Sequence, residues 1–361
     1  MFEIEDPEVK VKRRMDKRRR NDKLFYIALG FLLLTLVLLL VYYFTSNKPV
    51  EKKTTPKKPK VIEKKLTIID QDSNERVIAY MIDNNIGGGR HAGLQESFVN
   101  YEIIVEGGLT RIMALFKDKN VELVGPIRSS RHYFLDYALE YDAVYAHYGW
   151  SPYAEKDIKA LGVNNINGMT DGTPYYRDKS IAAPHNVFTS TSKVRDYLSE
   201  KGYNKESSNW KVLNYSVDEI DISEKNEEGV TTNPANNVSM SYSQSQSRSY
   251  SYDTNNKYYL RSMNGASHID KVSGAQLHYK NIIIIKVNNK TLDREGRQDL
   301  DTVGSGDGFY ITNGFSKPIK WSKSNRSSKT TYSYLDGSEV KINDGNTFIQ
   351  IVPTYSNIQI G

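Results

Sequence analysis

The longest apolar run in the chain covers residues 24–44, LFYIALGFLLLTLVLLLVYYF, 21 residues without a charge. At about 1.5 Å per residue, a helix of that length spans roughly 31 Å, which matches the hydrocarbon core of a bilayer. Tyr26, Tyr42, Tyr43 and Phe44 lie at its ends, where amphipathic rings favour the membrane interface. A soluble core has no use for a helix that is apolar on every side. The run therefore predicts one transmembrane helix. It is longer than a signal-peptide core and no A-x-A-like site follows it, so it is expected to remain uncleaved. Residues 45–65, TSNKPVEKKTTPKKPKVIEKK, are rich in Lys and Pro and predict an extended stalk, with order beginning near Leu66.

From 66 to 205, strand and helix patterns alternate. RVIAYMID (76–83) reads as a buried strand and GGGRHAG (87–93) as a loop. In YEIIVEGGLTRIMALF (101–116) two apolar runs flank Gly107-Gly108, which predicts a hairpin with a two-residue turn. In that register Tyr101, Ile103, Val105, Thr110, Ile112 and Ala114 share the core face. Glu102, Glu106 and Arg111 share the other, with Arg111 diagonal to both carboxylates. SSRHYFLDYALEY (129–141) predicts a helix capped by Ser129 or Ser130. DAVYAHYG (142–149) predicts a strand. SPYAEKDIKALG (151–162) predicts a helix with Ser151 as N-cap, Pro152 at the first position and Gly162 at the stop. TSTSKVRDYLSEKG (189–202) predicts another capped helix. The alternation implies an α/β domain over 66–205. Residues 206–233 read as a polar connector. Beyond it, 234–361 reads as a smaller β-rich domain. There the Ser/Tyr-rich run of 239–263 is low in complexity, which suggests disorder, while its alternation around DTNN fits a hairpin better; NIIIIKV (281–287) predicts a strand, and further short strands follow between turns.

Charge sharpens this layout. Seventeen of the 49 Lys/Arg lie in residues 1–65, which leaves 32 against 35 Asp/Glu in 66–361. The positive surplus thus belongs to the apolar run and its flanks, where it can meet anionic lipid headgroups. The remainder is mildly acidic and lacks the basic surface a nucleic-acid partner needs. Residues 1–23 carry nine Lys/Arg and residues 45–65 carry eight. The Arg cluster tight against the N-terminal end predicts a cytoplasmic tail at 1–23 and an extracellular C-terminal domain. The absence of cysteine excludes a disulfide framework, thiolate chemistry and lipid attachment through Cys.

The densest polar group in 66–205 contains Asp83, Asn84, Glu102, Glu106, Arg111, Arg128, Arg131 and His132. Asp136, His147, Asp171, Arg177 and His185 complete it. On the expected helix Arg128, His132 and Asp136 form one stripe at i, i+4, i+8. Arginines at a helix start suit a phosphate or carboxylate; the plainer reading is a solvated face with ordinary ion pairs. Ser151 lacks the G-x-S-x-G context of a nucleophile, and its N-cap role explains it. The six His are scattered and no metal site is expected, although Asp83 with Glu102 or Glu106 could serve a hard cation. GGGR and VGSGDGF match neither phosphate-binding glycine motif and read as turns. No cofactor is implied.

Several stretches resemble the YerB-like lipoproteins of Gram-positive bacteria. In the first part they are AYMIDNN, GLQESFVNYEIIVEGGLTRIMALF, VGPIRSSRHYFLDYALEYDAVYAHYGWSP, NINGM, YYRD and APHNVFTS. In the second they are YLRSMNGASHIDKVSGAQL, NIIIIKV, DTVGSGDGFYITNG and GSEVKINDGNTFIQIVP. They cover nearly all of 66–361, and VEGGLTR and GPIRSSRHYF are specific. The resemblance implies a two-part ectodomain on the outer face of the membrane and no established activity. The chain departs from it with a transmembrane helix where many relatives have a lipid-modified Cys, and with Phe348 where a Trp is usual. Three readings follow. The leading one is a membrane-anchored, non-enzymatic cell-envelope protein binding an anionic wall polymer or an envelope partner. Its ligand-binding residues would be Asp83, Asn84, Glu106, Arg111, Arg128, Arg131, His132, Arg177 and His185. The second is a wall-directed hydrolase or transferase with Asp83, Glu102, Glu106 or His185 as acid or base. The third is a protein-binding scaffold without a small-ligand site.

Overall fold

The computed structural model describes residues 7–46, 64–85, 90–205, 207, 209–223 and 232–361. The chain divides into two compact units, Met1–Glu63 and Lys64–Gly361. In the first, one helix runs over Pro7–Ser46, 40 residues without a break. It is longer than the apolar run because the basic stretch is also built of good helix formers, with Pro7 at its first position and Glu8 in its first turn. Most of the expected stalk, 47–63, lies outside the described residues.

The second unit is mostly sheet. Its main sheet is mixed and follows one path. From one edge it takes Thr331–Tyr334, Phe315–Lys323, Gly304–Thr312, Asn281–Val287 and Thr347–Pro353, then continues with Val99–Ile104, Thr110–Phe116, Ile78–Asp83, Val144–His147 and Asn165–Asn167. The second part is mostly strand, as expected, and both parts of the chain contribute to one continuous sheet within one unit. The reason lies in TFIQIVP. Every residue of Thr347–Pro353 is buried, so this strand needs cover on both faces and a partner on each side. It runs parallel to Asn281–Val287 on one side and to Val99–Ile104 on the other. α/β alternation is confined to one corner, where the 78–83, 144–147 and 165–167 strands are parallel and helix Pro152–Ala160 connects the last two.

The Ser/Tyr-rich segment is ordered. Asn237–Ser243, Gln246–Asp253 and Tyr258–Met263 form a meander in a second sheet, with the last turn at DTNN. Alternation puts Met240, Tyr242, Arg248, Tyr250, Tyr259 and Arg261 inside and the serines outside. This sheet packs on the main sheet: the Tyr242 hydroxyl lies 2.9 Å from the Glu102 carbonyl oxygen and 2.7 Å from Gln350 Oε1, with one proton to share between them. On the opposite face helix His132–Glu140 stacks Tyr137 on Tyr101, ring centroids 4.9 Å apart. The 206–233 connector is less polar than expected, since Trp210, Leu213 and Ile222 are buried in the core.

Two local expectations are corrected. The hairpin turn is not two residues. Ile104 faces Thr110, Val105 N–H donates to Leu109 O at 2.7 Å, and Glu106–Gly108 form a tight turn with positive φ at Gly107 and Gly108. Ser243 Oγ donates to Gly108 O at 2.8 Å, a tertiary contact that local turn chemistry does not register. The register moves by one, so Glu102 pairs with Ile112 and Ile103 with Arg111. Glu102 and Arg111 therefore point to opposite faces. The second correction concerns helix His132–Glu140. Its N-cap is Arg131 and carries no side-chain cap, because Ser130 is buried in a bridge to Trp150. Arg128 lies outside the helix and the Arg128–His132–Asp136 stripe does not form. Ser151 and Ser190 do cap their helices, accepting from Ala154 and Lys193 N–H at 3.2 Å.

Candidate functional site

A cleft of about 340 Å³ opens beside the end of the 78–83 strand, lined by Asp83, Asn85, Glu106, Thr110, Arg111, Arg128, Arg131, Glu295 and Arg297 together with Val105 and Leu109. Sheet register places its floor, since Asp83 is directly opposite Arg111. Arg128 reaches the same place because its N–H donates to Met81 O at 2.8 Å, which pins the segment after Pro126 along the strand end. Arg131 arrives as the helix N-cap and Glu106 on the tight turn. The opposite rim comes from the far part of the chain, the turn joining Asn289–Thr291 to Gln298–Leu300.

The charges fall into a closed pair and an open group. Arg131 grips Glu106 with Nε and Nη2, the latter at 2.8 Å, and gives Nη1 to Ser130 O at 2.7 Å. Against the burial penalty, that fork and the Arg111 charge hold the Glu106 carboxyl below its usual range. Asp83 is 2% exposed. Its Oδ1 accepts from Asn85 N–H at 3.1 Å, and its Oδ2 lies 2.5 Å from His185 Nδ1 and 3.2 Å from Arg128 Nε. Arg111 donates Nη1 to Ser129 O at 2.6 Å. Burial, followed by the neighbouring Arg131 charge and with Arg128 adding to it, pushes Arg111 down to about 10, so it stays charged at neutral pH. Arg297 gives Nη1 to Asp293 at 2.8 Å and lies 3.5 Å from Glu295. Among the described residues the remaining guanidinium nitrogens of Arg111, Arg128 and Arg297 have no protein acceptor.

The structure thus brings together Asp83, Glu106, Arg111, Arg128 and Arg131, with His185 touching Asp83 from the side. It removes five other candidates. Glu102 is fully buried behind the sheet. Its Oε1 accepts from Arg248 Nε at 2.6 Å, Thr110 Oγ1 at 2.7 Å and Asn84 Nδ2 at 2.8 Å, and its Oε2 from Arg261 Nη2 at 2.6 Å. Burial opposes ionisation, but the two arginines hold Glu102 below the usual carboxylate range. Four protein donors hold it and no solvent reaches it, so Glu102 is corrected as an acid, base or ligand, and Asn84 turns inward with it. His132 faces a neighbouring pocket, with Nε2 3.0 Å from Asp299 Oδ1. Arg177 is exposed, lies 4.9 Å over the Tyr148 ring and donates to Asn186 Oδ1 at 2.7 Å. Asp136 pairs with Arg326 rather than with a cleft arginine. Among the described residues no group of three or more His, Asp or Glu is placed to hold a metal ion. Glu295 and Arg297 were missed; their only sequence signal is the charged turn LDREGRQ.

Fold and cleft define a class: a predominantly β unit whose two parts share one sheet, behind a long apolar helix, with an arginine-rich cleft where the parts meet. Comparison with known proteins gives the family. Residues 66–204 match the model described as "Protein of unknown function (DUF3048) N-terminal domain", and residues 238–349 match the corresponding C-terminal domain. The chain belongs to this YerB-like two-domain family. A relative named "Putative lipoprotein YerB", from Bacillus subtilis (strain 168), is 28% identical over 285 residues, covering 78% of this chain and 82% of the relative. The crystal structure of the YerB protein from Bacillus subtilis aligns with a TM-score of 0.69 at 27% identity, covering 81% of this chain and 96% of that one. Relationship to a protein of that name and the N-terminal apolar helix together fit membrane association.

Proposed function

We propose that the chain is a single-pass protein of the cell envelope, N-terminus cytoplasmic and residues 64–361 outside, which binds an anionic ligand in the arginine cleft. The anchor reading rests on the length and hydropathy of the helix and on the arginines before its apolar part. The binding reading rests on one observation above others: of the four arginines that line the cleft, Arg131 pairs with Glu106, Arg128 with Asp83 and Arg297 with Asp293 and Glu295, whereas Arg111 has no carboxylate partner among the described residues. An anion there replaces water around guanidinium groups that are already partly desolvated. The acid–base alternative keeps one specific support, the Asp83–His185 contact at the cleft edge, with Glu106 held by Arg131.

The cysteine-free sequence offers a clean topology test. With Met15→Cys and Leu335→Cys introduced separately, a membrane-impermeant maleimide added to intact cells is expected to label the variant at 335 and to spare the one at 15. Labelling of 15 alone would sink the orientation. For binding, inorganic phosphate is expected to raise the melting temperature of the full chain in detergent micelles, and Arg128→Gln to abolish the rise. An equal rise in both proteins would remove the cleft from the explanation.

A further inference from the structure

We propose that the contact between His91 and His268 is an acid-released latch, which holds residues 90–93 against the turn at 268–271 and lets go when a proton enters the pair. Its working does not depend on what the cleft binds.

The first support is a relay with no place for another proton. Arg261 Nη1 donates to His268 Nδ1, His268 Nε2–H donates to His91 Nδ1 at 2.8 Å, and His91 Nε2–H donates to the Asp83 carbonyl at 2.5 Å. All four ring nitrogens are used, and each ring's tautomer is fixed by its neighbours. A proton added at His91 Nδ1 would face the His268 N–H. One added at His268 Nδ1 would face the Arg261 N–H. Arg261 is not free to withdraw, because it is unexposed and gives Nη2 to Glu102 Oε2 at 2.6 Å. Either proton therefore drives the rings apart.

The second support is position. His91 belongs to the 66–204 part and His268 to the 238–349 part, and both rings are fully buried. Two backbone N–H groups cross the same seam: Lys271 donates to His91 O at 2.7 Å and Gly93 to Asp270 Oδ2 at 3.0 Å. On the other side of His91, Asp83 accepts from Asn85 N–H at 3.1 Å, and both of those residues line the arginine cleft. Release therefore opens the seam and loosens one wall of the cleft.

The third support is the surroundings of the rings. Arg248 and Arg261 face them from the meander, Glu102 from the 99–104 strand, Asp83 from the 78–83 strand end and Asp270 from the turn. Burial is the largest influence on both rings; it takes His91 down to about 4 and His268 well below its usual value. A ring released to water returns to about 6.5. The closed form thus binds fewer protons than the open one. It is fully favoured above about pH 6.5 and loses ground as pH falls toward 4.

The test is hydrogen exchange of the full chain in micelles at pH 7.5 and 5.5, corrected for the intrinsic effect of pH on exchange. The Asn85, Gly93 and Lys271 amides report the latch, and the strand Thr110–Phe116 is the reference. Over this range each released ring contributes about tenfold. Wild-type protection at the three amides should therefore fall about a hundredfold relative to the reference, and that of His91→Asn about tenfold. His91→Asn/His268→Asn should show no pH dependence, whatever its level of protection. His185 touches Asp83 from outside the relay, so His185→Asn should leave the fall at Gly93 and Lys271 unchanged. Protection of the reference strand checks that each variant folds; if the double variant does not, the smaller slope of His91→Asn decides. Flat protection in wild type, an equal fall in the double variant, or an equal fall in the reference strand would overturn the latch.

Discussion

Glu102 shows how one residue of register changes the meaning of a side chain. Its position in an alternating strand is legible, and so is the hairpin around the glycines. The side on which it lands is not, because the turn length depends on the contact of Ser243 with Gly108, 135 residues away. The arginines that hold Glu102 lie 146 and 159 residues downstream in a segment whose composition suggests disorder. No spacing rule links them. Asp83, Glu106, Arg111, Arg128 and Arg131 were recognisable as a charged group, but polarity alone could not separate them from Asn84, His132 and Arg177, which face elsewhere. The Glu102 network also gives a stability prediction. Arg248, Arg261 and Glu102 are essentially unexposed, and removing one partner strands a buried charge. Glu102→Gln should cost about 3–5 kcal/mol, seen as a lower midpoint in urea unfolding of the full chain in micelles. A loss below about 1 kcal/mol would mean that the network is solvated in solution.

At the scale of elements, helices with serine caps and the serine-faced meander were readable because their signals are local. Tight packing between elements was not. The clearest case is a histidine pair: His91, from the loop after the 78–83 strand, and His268, from the turn after the Tyr258–Met263 strand. Both are fully buried, with His268 Nε2 2.8 Å from His91 Nδ1. His91 Nε2–H donates to Asp83 O at 2.5 Å, and His268 Nδ1 accepts from Arg261. Each Nδ1 is therefore an acceptor and each ring must be neutral. Burial, followed by the Arg261 charge, pushes His268 well below its ordinary value. Burial takes His91 down to about 4, although the Asp83 carbonyl and the Asp83 and Glu102 charges oppose the fall. In the unfolded chain both rings titrate near 6.5, so the unfolded state binds more protons as pH drops. Stability from the pair is complete above about pH 6.5 and is lost as pH falls toward 4, on the order of 3 kcal/mol for His91 alone. Urea midpoints measured from pH 7.5 to 4.5 should decline, and His91→Asn should flatten the decline. A profile unchanged by that substitution would exclude the pair as its source.

For the whole molecule, the apolar helix and the family were legible early, whereas the single sheet was not. The boundary near 206–233 marks a change in composition, but Thr347–Pro353 returns across it to pair with Val99–Ile104. Residues 66–233 expressed alone should therefore expose the unpaired edge of Val99–Ile104 and fail to give a dispersed amide spectrum. A folded spectrum from that fragment would restore two independent domains. The long chain excursion before that return also brings Arg297 and Glu295 to line the same cleft as Arg111 and Arg128. The most direct measurement of the anion-binding claim is calorimetric titration of inorganic phosphate into the full chain in micelles, with wild type and Arg111→Gln/Arg128→Gln compared at matched melting temperature. Saturable binding by wild type and a loss of about a hundredfold or more in the double variant is the expected result. Equal affinity in the two proteins, or no binding by the wild type, would contradict it.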